Sequence, residues 1–196
     1  FAVRMILTSA LLMLAYLAVL TLLFNSMAAF ALSKYQFKGQ KTVFLLIIAT
    51  LMIPFQSILT PLFIILARLG LNNSLFGLML IYVTLQLPFS VFMMRNAFDA
   101  VPKEIEEAAR IDGAGFWRIF WKIILPLSFP ALASFAIFQF LWTWNDLLVA
   151  TVFLGNSADQ LVMTGLLREL MGSKGGDWEI LAASAFVSIS VPLIVF

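Results

Sequence analysis

Histidine and cysteine are both absent from this 196-residue chain. Their absence removes thiol chemistry, disulfides, imidazole metal ligands and the commonest general base. A catalytic set built without them needs a Ser–Lys pair or two carboxylates. The lysines lie in loops or flanks, and no two carboxylates share one apolar run. Nothing here calls for a cofactor or a metal. Two groups of residues remain that could do chemistry. One is a concentration of charge: of twelve basic and ten acidic side chains, eight lie between Lys103 and Lys122. That stretch contains EEAARIDGAGFWRIFWKIILP, residues 106–126, and its charges can pair with those of another protein. The other group is a stripe, Gln139, Trp142, Thr143 and Asp146, at spacings of three and four that share one helix face. An amide, a hydroxyl and an indole can hydrogen-bond a polar solute and offer it an aromatic face. The same stripe equally suits a packing seam against a second membrane subunit.

These groups must be positioned by a scaffold that lives in lipid. Mean hydropathy is +1.05, with 63% hydrophobic and 11% charged residues, against about 25% charged in soluble domains. Apolar runs cover 5–33, 42–67, 69–94 and 123 to about 154, and a fifth starts near Ile180. Each complete run exceeds the roughly 20 residues a helix needs to cross the hydrocarbon layer. With no water there for backbone groups, the runs must be helical. The first, which contains Asn25 and Ser26, is too long and too polar for a signal peptide. The fold class is all-α: a polytopic helical membrane bundle of about five spans. Phe1 in place of an initiator Met, and Phe196 inside an apolar run, lead us to expect an excerpt truncated at both ends, 1–196 being a single transmembrane domain.

Eight of the twelve basic residues fall in two loops, Lys34–Lys41 and Arg95–Lys122. The positive-inside tendency makes both cytoplasmic, leaving Arg4, Arg68, Arg168 and Lys174 outside. Spans flanked by basic residues account for the net charge of +2 better than nucleic-acid binding does. Pro54, Pro61, Pro88, Pro126 and Pro130 interrupt the runs, and Gln56, Thr60, Gln86 and the stripe place polar groups inside them. A moving pore would carry both features, as would a static bundle.

Within the cytoplasmic segment 95–122, Pro102 fits the first turn of a helix. Glu104, Glu106 and Glu107 then stand near its positive end. Gly113 can end it in a left-handed conformation, and Gly115 loosens the chain again. In FWRIFWKIILP, Arg118 and Lys122 share one face while Phe116, Ile119, Phe120 and Ile123 form an apolar one. That is an interfacial helix with Trp117 and Trp121 at headgroup depth, and Pro126 marks the entry into the next span.

Order and spacing go further. Glu107-Ala108-Ala109, three residues, Gly113, nine residues, then Ile123-Ile124-Leu125-Pro126 resembles the EAA signature of permease subunits from bacterial ABC importers. AAFALSKYQFKG (28–39), LPFSVFMMRNAF (87–98) and WTWNDLL (142–148) are similar to segments of carbohydrate-importer permeases, nearest the smaller permease of maltose-type systems. The resemblance implies six spans in the full subunit and a multi-pass place in a bacterial or archaeal cytoplasmic membrane. It also implies a second permease subunit, ATPase subunits on the cytoplasmic side and an extracytoplasmic solute-binding protein. The cargo would be a sugar or polyol. Glu106, Glu107, Ala108, Ala109, Arg110, Asp112 and Gly113 would form the ATPase-coupling element. Ala108, Ala109 and Gly113 would let a partner approach closely, and Arg110 would pair with charges on the ATPase.

ATP hydrolysis would belong to the partner, since no G-x-x-x-x-G-K-[ST] occurs and GSKGGD (172–177) is only Gly-rich. The outer loop 155–179, with Arg168, Glu169, Asp177 and Trp178, reads either as a contact for the binding protein or as a solvated connector. Other readings are a permease for another solute, a self-contained secondary transporter and an intramembrane enzyme. The second would be expected to show paired half-repeats, which the chain lacks.

Overall fold

Proline and glycine decide where the helices stop. The computed structural model describes residues 23–155, 164–165, 168 and 178–195. In chain order the elements are α1 (Ser26–Lys34), α2 (Gln40–Ala49, extended by a 3₁₀ turn Thr50–Met52), α3 (Phe55–Arg68), α4 (Leu75–Asp99) and α5 (Lys103–Ile111). They continue with α6 (Phe116–Leu127), α7 (Phe129–Trp144), α8 (Leu148–Leu154) and α9 (Trp178–Val195). No strand occurs among the described residues.

The chain divides into two compact units. Of the described residues, one takes in 55–82 and those from 137 onward, and the other 23–54 and 83–136. In the first unit, α3 and α8 pack together through Phe63 and Phe153, ring centroids 6.2 Å apart. α3 closes in a Schellman turn: Gly70, at φ +69°, donates to Ala67 O, and Leu71 donates to Leu66 O at 2.9 Å. Ser74 then caps α4, its Oγ accepting the Gly77 N–H at 3.0 Å. Residue 77 has to be glycine, because a Cβ there would collide with the Leu71 carbonyl oxygen.

The second unit has an aromatic centre. Phe30 is fully buried and meets Phe98, Phe116, Phe120 and Tyr35 at centroid distances of 5.2–6.2 Å. Ala29, Met94, Ile119, Ile124, Leu132 and Phe135 complete the core around it. Two polar side chains buried in this unit find each other: Asn25 Nδ2 donates to Ser90 Oγ at 2.6 Å.

The apolar runs, in which prolines were expected to cause interruptions, are not all continuous. Run 42–67 breaks at Ile53–Pro54, where Ile53 turns extended (φ −82°, ψ 122°) as the residue before a proline tends to do. Run 123–154 breaks at Ser128, with a bend of 75° between α6 and α7, and again at 145–147. Among the described residues α4 is the one helix long and apolar enough to cross a membrane, or up to three count if each bent pair is a single span. Pro88 is carried inside α4 without ending it. Run 5–33 is described only from residue 23, and Glu169, Lys174 and Asp177 of the outer loop lie outside the described residues.

Candidate functional site

Each unit holds one of the two groups singled out by sequence. In the second unit, α5 begins after Pro102, whose ψ of 136° makes it the N-cap, one residue earlier than the first-turn position expected. Glu104 and Glu106 occupy the first turn and Arg110 the last, each complementing the helix dipole. The helix ends as its sequence predicts. Gly113, at φ +77°, donates to Arg110 O at 3.0 Å and Ala114 to Ala109 O at 2.9 Å, a second Schellman turn.

Burial divides the seven expected coupling residues. Ala109 packs into the core beside Val101 and the aromatic centre, so it offers no surface to a partner. Glu106 is buried too, and Arg110 Nη2 donates to its Oε1 at 2.7 Å. The hydrogen bond to Glu106 is the main cause that holds the Arg110 guanidinium above its usual pKa, with slight burial opposing. Arg110 also stands 5.6 Å from the centre of the Tyr35 ring. Thus Arg110 is engaged within its own chain while about half of its side chain stays exposed. Glu107, Ala108, Asp112 and Gly113 form the exposed remainder.

Residues outside the expected set tie down the chain that leads into α5. Lys34 Nζ donates to Val101 O at 2.8 Å, and Ser33 Oγ donates to Asp99 Oδ1 at 2.6 Å. Arg95 pairs with Asp99 at 3.5 Å and lies over the Phe44 ring at 3.8 Å. By sequence Lys34 and Arg95 are flanking charges, and only the folded chain reveals these partners. Downstream, Gly115 caps α6. Ile119, Phe120 and Ile124 turn inward while Trp117, Arg118, Trp121 and Lys122 stay exposed, the two-faced pattern expected. The turn Phe120–Ile124 is π-helical. Leu125 donates to Phe120 O, five residues back, where Pro126 has no N–H to offer the Lys122 carbonyl.

In the first unit the expected stripe splits. Gln139 and Thr143 are buried, whereas Trp142 is 47% exposed and meets Phe138 edge-to-face at 5.9 Å. Asp146 is not on α7 at all, because that helix ends at Trp144. Its carboxylate accepts from the Tyr82 hydroxyl at 2.8 Å and from the N–H groups of Val149 and Ala150 at 3.3 and 2.9 Å. It therefore holds the start of α8. Thr164 donates to Asp146 O at 2.6 Å, and Trp144 Nε1 donates to Ser188 O at 3.1 Å. A groove of about 610 Å³ opens beside the break, with Phe138, Trp142, Asn145 and Asp146 in its wall. No group of metal-ligating side chains occurs among the described residues.

The family model described as the binding-protein-dependent transport system inner membrane component matches residues 25–196. The chain belongs to that family. It is 50% identical over 183 residues to the alpha-glucoside transport system permease protein AglG of Rhizobium meliloti, covering 91% of this chain and 48% of that protein. It is 47% identical to the osmoprotective compounds uptake permease protein GgtD of Synechocystis, covering 86% of this chain and 57% of that one. It is 40% identical to the arabinooligosaccharides transport system permease protein AraQ of Halalkalibacterium halodurans, covering 91% and 63%. The chain therefore spans about half to two thirds of the length of these relatives. A crystal structure of a bacterial ABC transporter involved in import of the acidic polysaccharide alginate shares the fold: TM-score 0.76, 24% identity, 98% of this chain and 71% of the other. For this inner-membrane component, the carbohydrate-type resemblance seen in its motifs agrees with the family and the named relatives.

Proposed function

We propose that the chain is the membrane domain of a permease subunit in an ATP-driven importer of a sugar or related polyol, and that α5 is its coupling helix. One observation carries the coupling assignment. α5 is held to its unit on one side by Ala109 in the core, by Arg110 over the Tyr35 ring and, just before the helix, by the Lys34–Val101 bond, while Glu107, Ala108, Asp112 and Gly113 remain exposed on the other. A short helix rigid towards its own chain and open towards water transmits a partner's movement without absorbing it. The partner in this reading is a separate ATPase on the cytoplasmic side, and a second permease and a soluble binding protein complete the assembly. Relatives named for alpha-glucosides and arabinooligosaccharides support the sugar class. The subunit itself converts ATPase closure into helix movement and catalyses no reaction.

Gly113 supplies the test. A Cβ built there meets nothing within 4 Å, so the space it faces is free for a partner. Gly113→Ala adds the left-handed backbone strain, about 1 kcal/mol, with little bulk, whereas Gly113→Leu adds both. In the reconstituted full complex, Gly113→Leu should lower sugar uptake per ATP hydrolysed far more than Gly113→Ala does, with assembly retained. Equal, wild-type coupling in both variants would refute the coupling role.

A further inference from the structure

The run that ends near Leu154 carries a single charge, Asp146, yet its backbone leaves helical geometry at 145–147. In hydrocarbon such an open stretch survives only where protein buries it or water reaches it. Asn145 is exposed, so the described residues of this chain do not bury it and water is left to reach it. Beside it, Phe138 and Trp142 are 46% and 47% exposed, and their edge-to-face contact makes one continuous aromatic surface. Asn145 Nδ2 donates to Leu141 O at 2.7 Å, which fixes the amide at the groove wall. Asp146 is engaged by Tyr82 and the start of α8 and serves the groove as a support.

An aromatic surface next to a fixed amide, in a groove of about 610 Å³, matches what a sugar requires. The C–H face of the ring lies on the π surface, and hydroxyls exchange hydrogen bonds with the amide. We propose that Phe138, Trp142 and Asn145 form a carbohydrate subsite on the transport path, in place of the buried Gln139–Thr143 face. The proposal rests on the sugar-importer reading above. An acidic cargo is disfavoured by the Asp146 carboxylate in the wall.

The test uses the full-length transporter, with partner permease, ATPase and binding protein, in proteoliposomes. Wild-type uptake is measured first with maltose, trehalose and arabinooligosaccharides. Absence of ATP-driven uptake of all of them would strike the importer reading itself. With a transported sugar in hand, Asn145→Cys and Trp142→Cys are placed in a transporter whose other subunits lack cysteine. Both should react with a membrane-impermeant, water-soluble maleimide, and that sugar should slow the reaction several-fold during turnover. Phe186→Cys, on the exposed part of α9, serves as the control that sugar leaves unchanged. Labelling unaffected by sugar overturns the subsite. Reaction only with a lipid-soluble maleimide also overturns it, and makes the rings part of an interfacial aromatic belt. Trp142→Phe and Trp142→Leu give a second reading independent of cysteine. At saturating loaded binding protein, Phe should keep the wild-type preference between two transported sugars and Leu should change it. An unchanged preference in both variants overturns the proposal.

Discussion

Helices α5 and α7 both stop at a polar break, and the two breaks are held in opposite ways. The end of α5 closes on itself: Arg110, Ala109, Gly113 and Ala114 make the whole turn from residues within six positions. The end of α7 depends on residues remote in sequence, with Tyr82, Thr164 and Ser188 all bonding to Trp144 or Asp146. The units that carry them differ likewise. Around α5 an aromatic core does most of the fixing, and around the 145–147 break a single carboxylate does. A self-contained turn can be presented to a partner without loss of shape. A break tied together by distant polar bonds is a place where helices can shift.

The largest expected effect breaks the α5 side. Phe30→Ala empties the centre of the aromatic core and should cost about 3–5 kcal/mol. Monodisperse complex after size-exclusion chromatography should fall sharply, and unchanged yield and melting would show that the core does not fix α5. Next comes the α7 side. Asp146→Ala leaves Tyr82, Val149 and Ala150 without their acceptor, worth about 1–3 kcal/mol. Thermal melting should fall by less than for Phe30→Ala, and Tyr82→Phe should reproduce part of the loss. A drop larger than that of Phe30→Ala would reverse the comparison.

Lys34→Met sharpens the picture on a smaller scale. It removes the bond to Val101 O, about 1 kcal/mol, and should lower uptake per ATP while melting barely moves. A change in melting with coupling intact would make Lys34 a purely structural tie.

The smallest effect concerns pH. The pKa of Arg110 is raised in the folded chain, chiefly by the hydrogen bond to Glu106. A raised basic pKa contributes stability that is complete below the unfolded value and is lost only as pH rises through the folded one. Both lie far above neutrality, so melting traced from about pH 7 to pH 9 should show no loss from this arginine. The pair is half exposed on the arginine side, which keeps its contribution small.

What could be read from sequence follows the same division. The span of α5, its closure at Gly113 and the two-faced α6 rest on rules that act over a few residues, and caps, glycine and periodicity were enough to place them. The inward turn of Ala109 and Glu106 was not legible, because small size and charge say nothing about which side the core lies on. A regular helix extended through residue 146 puts the stripe on one face. The helix stops at Trp144 because Asp146 caps α8, and that role depends on Tyr82, 64 positions away. Run 42–67 is the opposite case: its apolar content marks the extent and Pro54 the interruption, both local signals.

The wide turn at Phe120–Ile124 bears on how this chain tolerates gain or loss of length. A turn closed five residues back stores one residue more than an α-turn, which is about 100° of rotation and about 1.5 Å of rise. The nine residues between Gly113 and Ile123 therefore put Phe120 inward and Trp117 outward by count as much as by type. Deleting any one of 120–124 would preserve composition and periodicity upstream, yet swing Trp117 and Arg118 a quarter turn round the axis while both ends stay anchored.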